Sequence, residues 1–321
     1  MATSTADLLC MTCLPMFILL PIVLFLSIYT QINLIRPLEP AAARIHAHCV
    51  HVFSDAHRPH DLSASFICGK KVTHSAHKNL LQKSGLYHAI VVSGGHFLFI
   101  ESLLKRIQLP YLARMVVLLF YYLATHLQAP GLRCLMQLNL GHISQRWHLK
   151  LSSPVLCFYS GLACLAINVD LWQSLSFWLS LAVSLALAFA QELKTQNNKA
   201  ISFFLPLICI YIFLIPFNFT NGYLHPLNLV LGAIFLYPFC IFLLFSAGLI
   251  LGSRAFPTLS FDSLLEPLNN MVFLFLKYST QIVPNKNFGS FDLFYLWIYL
   301  LISIVSFHML TLHFRRETIR E

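Results

Sequence analysis

The chain has 321 residues, 58% of them hydrophobic and only 10% charged, with a mean hydropathy of +0.72. A soluble domain carries about a quarter charged residues, so a water-soluble enzyme built on an ordinary core is excluded and the class is a polytopic α-helical membrane protein. The net charge of +9 implies positive-inside topology and contact with anionic headgroups, or a polyanionic passenger.

Uncharged runs cover 8–35, 115–132, 151–169, 171–191, 200–253 and 293–314. Each meets or approaches the ~20 residues that a bilayer-crossing helix needs, and 200–253 is long enough for two. The first predicted span is 14–35. Its start lacks the basic region and small-residue cleavage site of a removable leader. A polar, basic, histidine-rich segment follows. It holds too few apolar residues for a large core, so a docked loop or a small domain is expected there.

The segment 88–104 carries Gly94 and Gly95 at its middle. Glycine costs helix stability, so two half-helices meeting at these glycines are expected rather than one straight rod. A span over 109–126 comes next, then a semi-polar helix over 131–147 with Arg133, Asn139, His142 and Arg146. Spans over 151–169, 172–191, 201–217 and 227–251 follow. The stretch 262–283 is amphipathic enough to lie in the interface, and 293–312 is the last span. The expected fold is all-α and polytopic, with about eight to nine membrane segments, some broken or re-entrant. The expected division is a transmembrane helix in 1–36, a polar histidine-rich loop or small domain in 37–83, a helical membrane domain in 84–314 and a basic tail in 315–321. Arg315, Arg316 and Arg320 argue for a cytoplasmic carboxyl terminus.

Polar groups deep in a membrane must face protein or a water-filled cavity, and so must irregular backbone. Ser93, Gly94, Gly95 and His96 are therefore a candidate pore lining: glycines let backbone amides approach a ligand, and the following helix start favours an anion. Close helix packing, with His96 bonded to a carbonyl, is the competing reading. Arg133 must find a carboxylate, a carbonyl or a phosphate, or else snorkel to the interface. His46, His48, His51 and His57 crowd into a short stretch, yet their spacing matches no closed zinc site, and a loop without metal is expected. The nine cysteines are scattered and read mostly as small hydrophobes. The close pair is Cys10 and Cys13, a lone C-x-x-C. Ser93 with His96 also permits an intramembrane serine hydrolase, although the glycines between them break the helix that would align nucleophile and base.

The stretch "SGLYHAIVVSGGHFLFIESLLK" resembles the hallmark of the ComEC-type competence family, proteins of inner-membrane DNA uptake. The pattern S/T-G-L-x-H-x-x-x-x-S-G-x-H falls on Gly85, Leu86, His88, Ser93, Gly94 and His96, with Gly95 where a hydrophobic residue is usual. "HLQAPGLRCLMQ" is similar to the family's small-residue and proline segment and places Arg133 on its arginine. "LWQSLSFWLSLAV" is similar to its F-x-L-S-F-x-x-V helix, at Phe177, Leu179 and Ser180. "HPLNLVLGAIFLYP" matches its N-L-x-x-x-P segment at Asn228 and Leu229. The four segments stand in the family's order. Two family features have no counterpart: 36–83 is short for an oligonucleotide-binding fold, and nothing resembles the metallo-β-lactamase-like domain or its H-x-H-x-D-H run.

The resemblance implies a channel for single-stranded transforming DNA across the bacterial inner membrane. Its path would be lined from among Gly85, His88, Ser93, Gly94, Gly95, His96, Arg133, Arg146, Ser180 and Asn228. A conduit for a polyanion needs cations and close backbone amides but no base-specific readout. No enzyme activity and no cofactor are expected. The chain has no G-x-x-x-x-G-K-[ST] loop, so the implied partners, besides single-stranded DNA and membrane lipids, are a separate translocation motor, a DNA receptor and a separate nuclease. A transporter for a smaller anionic or lipid-like solute would suit a glycine-broken basic site as well.

Overall fold

The computed structural model describes residues 33–53, 63–72, 80–81, 94–149, 151–193 and 204–214, with isolated positions at 22, 29, 241, 245, 248–250, 252, 274, 277–278, 299, 302–303 and 305–306. Among these the regular secondary structure is helical, apart from one isolated antiparallel bridge between Asn33 and Asn168. The helices are α1 (Glu39–Phe53), α2 (Ser63–Cys68), α3 (Gly94–Arg106), α4 (Tyr111–Ala124), α5 (Ala129–Arg146), α6 (Ser153–Ile167), α7 (Leu175–Glu192) and α8 (Phe204–Leu214). They fall into two compact units, divided within α5 between Gly131 and Leu132.

One unit holds α1 to α4 and the start of α5. Helix α1 starts with Glu39 and Pro40 in its first turn, where a carboxylate suits the dipole and proline loses no hydrogen bond. Three alanines follow, and Ala42 is fully buried. Helix α1 packs on α4 and on α2, and a Cys49–Cys68 disulfide ties α1 to α2 with 5.9 Å between the Cα atoms. The histidine-rich stretch is thus helical over its first half: His46, His48 and His51 all stand on α1. His57 lies outside the described residues.

Helix α4 is divided by face. Leu118, Tyr122 and Ala124 are buried, whereas Leu112, Val116, Leu119 and Phe120 are exposed. The exposed set recurs at helical spacing, which is a continuous apolar stripe rather than scattered surface residues.

The other unit holds the rest of α5, then α6, α7 and α8. Pro154 sits in the first turn of α6 and Ser174 caps α7 by accepting from the Phe177 amide at 3.4 Å. Helices α6 and α7 lie side by side, close enough that a Cβ on Gly161 would stand 3.1 Å from Leu181 Cδ1. The Trp178 indole donates to the Trp172 carbonyl at 2.8 Å, and Phe189 stacks on Phe213 of α8. The Asn33 amide group fastens the chain before α1 to the end of α6. Its Oδ1 accepts from the Ile35 and Arg36 amides and its Nδ2 donates to Asp170, each at 3.1 Å.

Three helices end in the same way. Gln108, His126 and His148 have φ of 56°, 58° and 53°. The next residue's amide returns to a carbonyl five residues earlier: Leu109 to Leu104, Leu127 to Tyr122 and Leu149 to Ser144. This is the Schellman arrangement, which usually recruits glycine. Here each left-handed position is held by a side-chain-bearing residue.

Of the described helices, Leu175–Glu192 is long and apolar enough to cross a bilayer, while Tyr111–Ala124, Ser153–Ile167 and Phe204–Leu214 are apolar but shorter. The predicted spans 109–126, 151–169 and 172–191 thus appear as helices within a few residues of their expected limits. The expected helix over 131–147 is α5. Of the two half-helices expected to meet at Gly94 and Gly95, the second is α3, with both glycines in its first turn. The first lies outside the described residues, as do the spans expected at 227–251 and 262–283 but for isolated positions.

Candidate functional site

The start of α5 is set by the turn that precedes it. After α4 the backbone is left-handed at two successive residues, His126 and Leu127, each a conformation costing roughly 1–2 kcal/mol for a residue with a Cβ. The surroundings hold it there. His46 Nδ1 donates to the Ala124 carbonyl at 2.9 Å, which fixes the proton on that nitrogen, and the two imidazoles of His46 and His126 meet at 5.2 Å. Thr125 Oγ1 donates to the Tyr122 carbonyl at 3.0 Å, and Gln128 Nε2 to the Gly69 carbonyl at 3.0 Å. The disulfide-linked pair α1 and α2 therefore grips the turn that launches α5.

Helix α5 then begins with Ala129, Pro130 and Gly131, and residues 129–135 are all buried. A Cβ on Gly131 would stand 2.6 Å from Phe97 Cζ and 3.0 Å from Tyr122 Cδ2. The glycine lets the first turn of α5 approach the Phe97 ring of α3 and Tyr122 of α4. Phe97 is itself fully buried and packs at 4.9 Å on Tyr121. It directly follows Gly94, Gly95 and His96, so part of that stretch serves this packing. His96 is buried in the same turn.

Arg133 is 3% exposed. Its Nε donates to Ser180 Oγ of α7 at 2.8 Å, and Nη1 donates to Gln137 Oε1 one turn along α5 at 2.7 Å. Gln137 passes the polar contact to α6, its Nε2 donating to Cys157 Sγ at 3.1 Å, and the Cys157 thiol donates to the Ser184 carbonyl of α7 at 3.7 Å. Three helices thus share one buried polar line. The guanidinium carries five N–H donors in a fixed fork. Both acceptors it meets here are neutral.

Arg114 makes the contrast. It too is largely buried, but its Nη1 is ion-paired with Glu101 of α3, which also takes Lys105 Nζ at 3.4 Å. Tyr111 lies under the Arg114 guanidinium at 5.6 Å. The ion pairs among the described residues centre on Glu101, and none involves Arg133. One buried cation has its carboxylate. The other is held by two neutral groups and has no carboxylate partner among the described residues.

The structure brings together two of the residues singled out from sequence, Arg133 and Ser180. It separates Arg133 from Arg146, which stands exposed in the last turn of α5, about 20 Å along the helix axis. Gly94, Gly95 and His96 are in the other unit. Gly85, His88, Ser93 and Asn228 lie outside the described residues. His46 is committed to the Ala124 carbonyl and Cys49 to the disulfide. No group of three or more His, Cys, Asp or Glu side chains that would hold a metal converges among the described residues. Gln137, Cys157 and Ser184 were not singled out. Gln137 carried one signal, its position four residues after Arg133 on the same helix face.

A family model described as "Competence protein" matches residues 67–315. No curated protein and no solved structure gives a significant match to the chain.

Proposed function

The chain belongs to the competence protein family, and from that premise we propose that it forms the passage by which single-stranded transforming DNA crosses the bacterial inner membrane. The observation that carries this reading is Arg133, a buried guanidinium held by Ser180 and Gln137 without a carboxylate partner among the described residues. A buried charge is costly unless it is paired. A phosphodiester passing along the helices supplies an anion for it, and the planar fork suits its two free oxygens. Ser180 and Gln137 fix the fork's orientation without neutralising it. Transient rather than tight engagement is what a conduit requires, since a passenger must also leave.

The chain acts in this reading as a passage and not as an enzyme. The energy for movement, the capture of DNA at the surface and the removal of the second strand fall to separate polypeptides. The apolar stripe of Leu112, Val116, Leu119 and Phe120 on α4 is the face expected against lipid in a multi-pass protein.

The test is transformation by a marked DNA fragment in a naturally transformable host, at matched membrane levels of each variant. Deletion is expected to abolish transformation. Arg133→Ala is expected to lower it by about tenfold or more, the equivalent of ~1.4 kcal/mol, and Arg133→Lys to recover only part. Unchanged transformation on deletion would sink the reading and favour a transporter of a smaller anion using the same arginine.

A further inference from the structure

A groove of about 400 Å³ runs between the second half of α5 and helix α6. Its walls are Leu140 and Ile143 from α5, Leu149 from the turn, and Leu156, Leu162 and Ala163 from α6. Two residues with side-chain hydroxyls, Ser144 and Tyr159, also line it. Ser144 Oγ is already spent on the Leu149 carbonyl at 2.7 Å. The occupant must therefore be apolar over most of its length. The volume lies within the range of about 300–1,000 Å³ common to small-molecule sites.

The groove is bordered by the turn between two of its lining residues, Ser144 and Leu149. The turn that contributes Leu149 also carries Arg146, Trp147 and His148, all exposed. The turn is closed: His148 is left-handed, and the Leu149 amide donates to the Ser144 carbonyl at 2.8 Å. Arginine is the side chain that binds phosphate with a planar fork, and tryptophan prefers the level of lipid headgroups. An apolar trough bordered by a turn that carries an arginine and a tryptophan has the polarity of one phospholipid molecule.

We propose that this groove binds an acyl chain of an anionic phospholipid, with the headgroup phosphate against Arg146. The assignment rests on the membrane placement in the reading above. It gives Arg146 a role at the lipid surface, apart from Arg133, and it makes α5 a helix with a lipid-anchored end.

The experiment is native mass spectrometry of the detergent-purified full chain, titrated with phosphatidylglycerol or phosphatidylcholine, beside carbonate extraction of membranes. The expected result is retention of one phosphatidylglycerol with about fivefold preference over phosphatidylcholine, as one arginine near a headgroup supplies. Arg146→Gln, an exposed change that leaves the packing untouched, should abolish the preference while keeping a lipid bound. Ala163→Leu, which fills the groove, should lose both lipids. Equal retention of the two lipids by the wild-type chain overturns the groove assignment alone. So does undiminished lipid retention by Ala163→Leu, or a preference that survives in Arg146→Gln. Release of the chain by carbonate overturns the membrane placement, and this assignment with it.

Discussion

Phe97 Cζ lies 2.6 Å from the point where a side chain on Gly131 would begin. That distance is well inside van der Waals contact, and the obstacle is a fully buried ring. Overpacking of this kind costs roughly 1–3 kcal/mol. Gly131→Ala is therefore expected to lower the melting temperature of the purified protein. Gly141 stands in the same helix with nothing within 4 Å of its absent Cβ. Gly141→Ala should raise stability by about 0.5–1 kcal/mol, as alanine does in a helix interior. Adding Phe97→Leu should recover part of the Gly131→Ala loss. A double variant no better than the sum of the singles would show that the ring is not the obstacle.

The pair of Glu101 and Arg114 lends itself to a double-mutant cycle. Removing one partner leaves the other buried and charged, at a cost of about 3–5 kcal/mol. Glu101→Leu and Arg114→Met should each destabilise strongly, and the two combined should sit near the wild type. If each single change costs under about 0.5 kcal/mol, the pair is solvated and behaves as a surface bridge.

Cys49 and Cys68 close a loop with a sequence separation of 19 residues. A loop near that length stabilises by about 3 kcal/mol in the chain-entropy account. Cys49→Ser is expected to lower the melting temperature to that of the reduced wild type, and reductant should then have no further effect on the variant. Because α1 and α2 grip the turn before α5, transformation should fall with it. A melt of the wild type that ignores reductant would remove the disulfide from this role.

Ser180→Ala deletes the acceptor of Arg133 Nε and leaves a buried donor unsatisfied, at about 1–3 kcal/mol. Ser180→Thr keeps the hydroxyl. The expected order in transformation frequency at matched expression is wild type, then Thr, then Ala. Equal frequencies for all three would mean that Ser180 does not orient the guanidinium.

The sequence was most legible where a single helix carries the signal. The spans expected at 109–126, 151–169 and 172–191 predict α4, α6 and α7 to within a few residues, because lipid-like composition and helix length are local properties. Arg133 and Ser180 were legible through motifs that stand 47 residues apart. What they do together was not, since the contact depends on how α5 and α7 pack. The partner of Glu101 was hidden for the same reason: Arg114 follows by 13 residues, across the turn that reverses the chain from α3 to α4. The disulfide left no trace, because Cys49 and Cys68 match no spacing motif. The histidine-rich stretch read as a loop from its polarity. Its opening carboxylate and proline, followed by alanines, were the helix signal that polarity obscured.

The Cys49–Cys68 bond also bears on the parity of the chain's crossings. Disulfides persist on the oxidising face of a bacterial inner membrane and are reduced on the other. In the membrane placement proposed here, α1 and α2 stand on the outer face, while Arg315, Arg316 and Arg320 are drawn to the inner one. A chain that starts on one face and finishes on the opposite one must cross an odd number of times between Cys68 and Arg315. The span expected from sequence in the uncharged run 8–35 adds one crossing before α1. On that expectation the total is even, and any odd count of membrane segments requires one that enters and leaves by the same face.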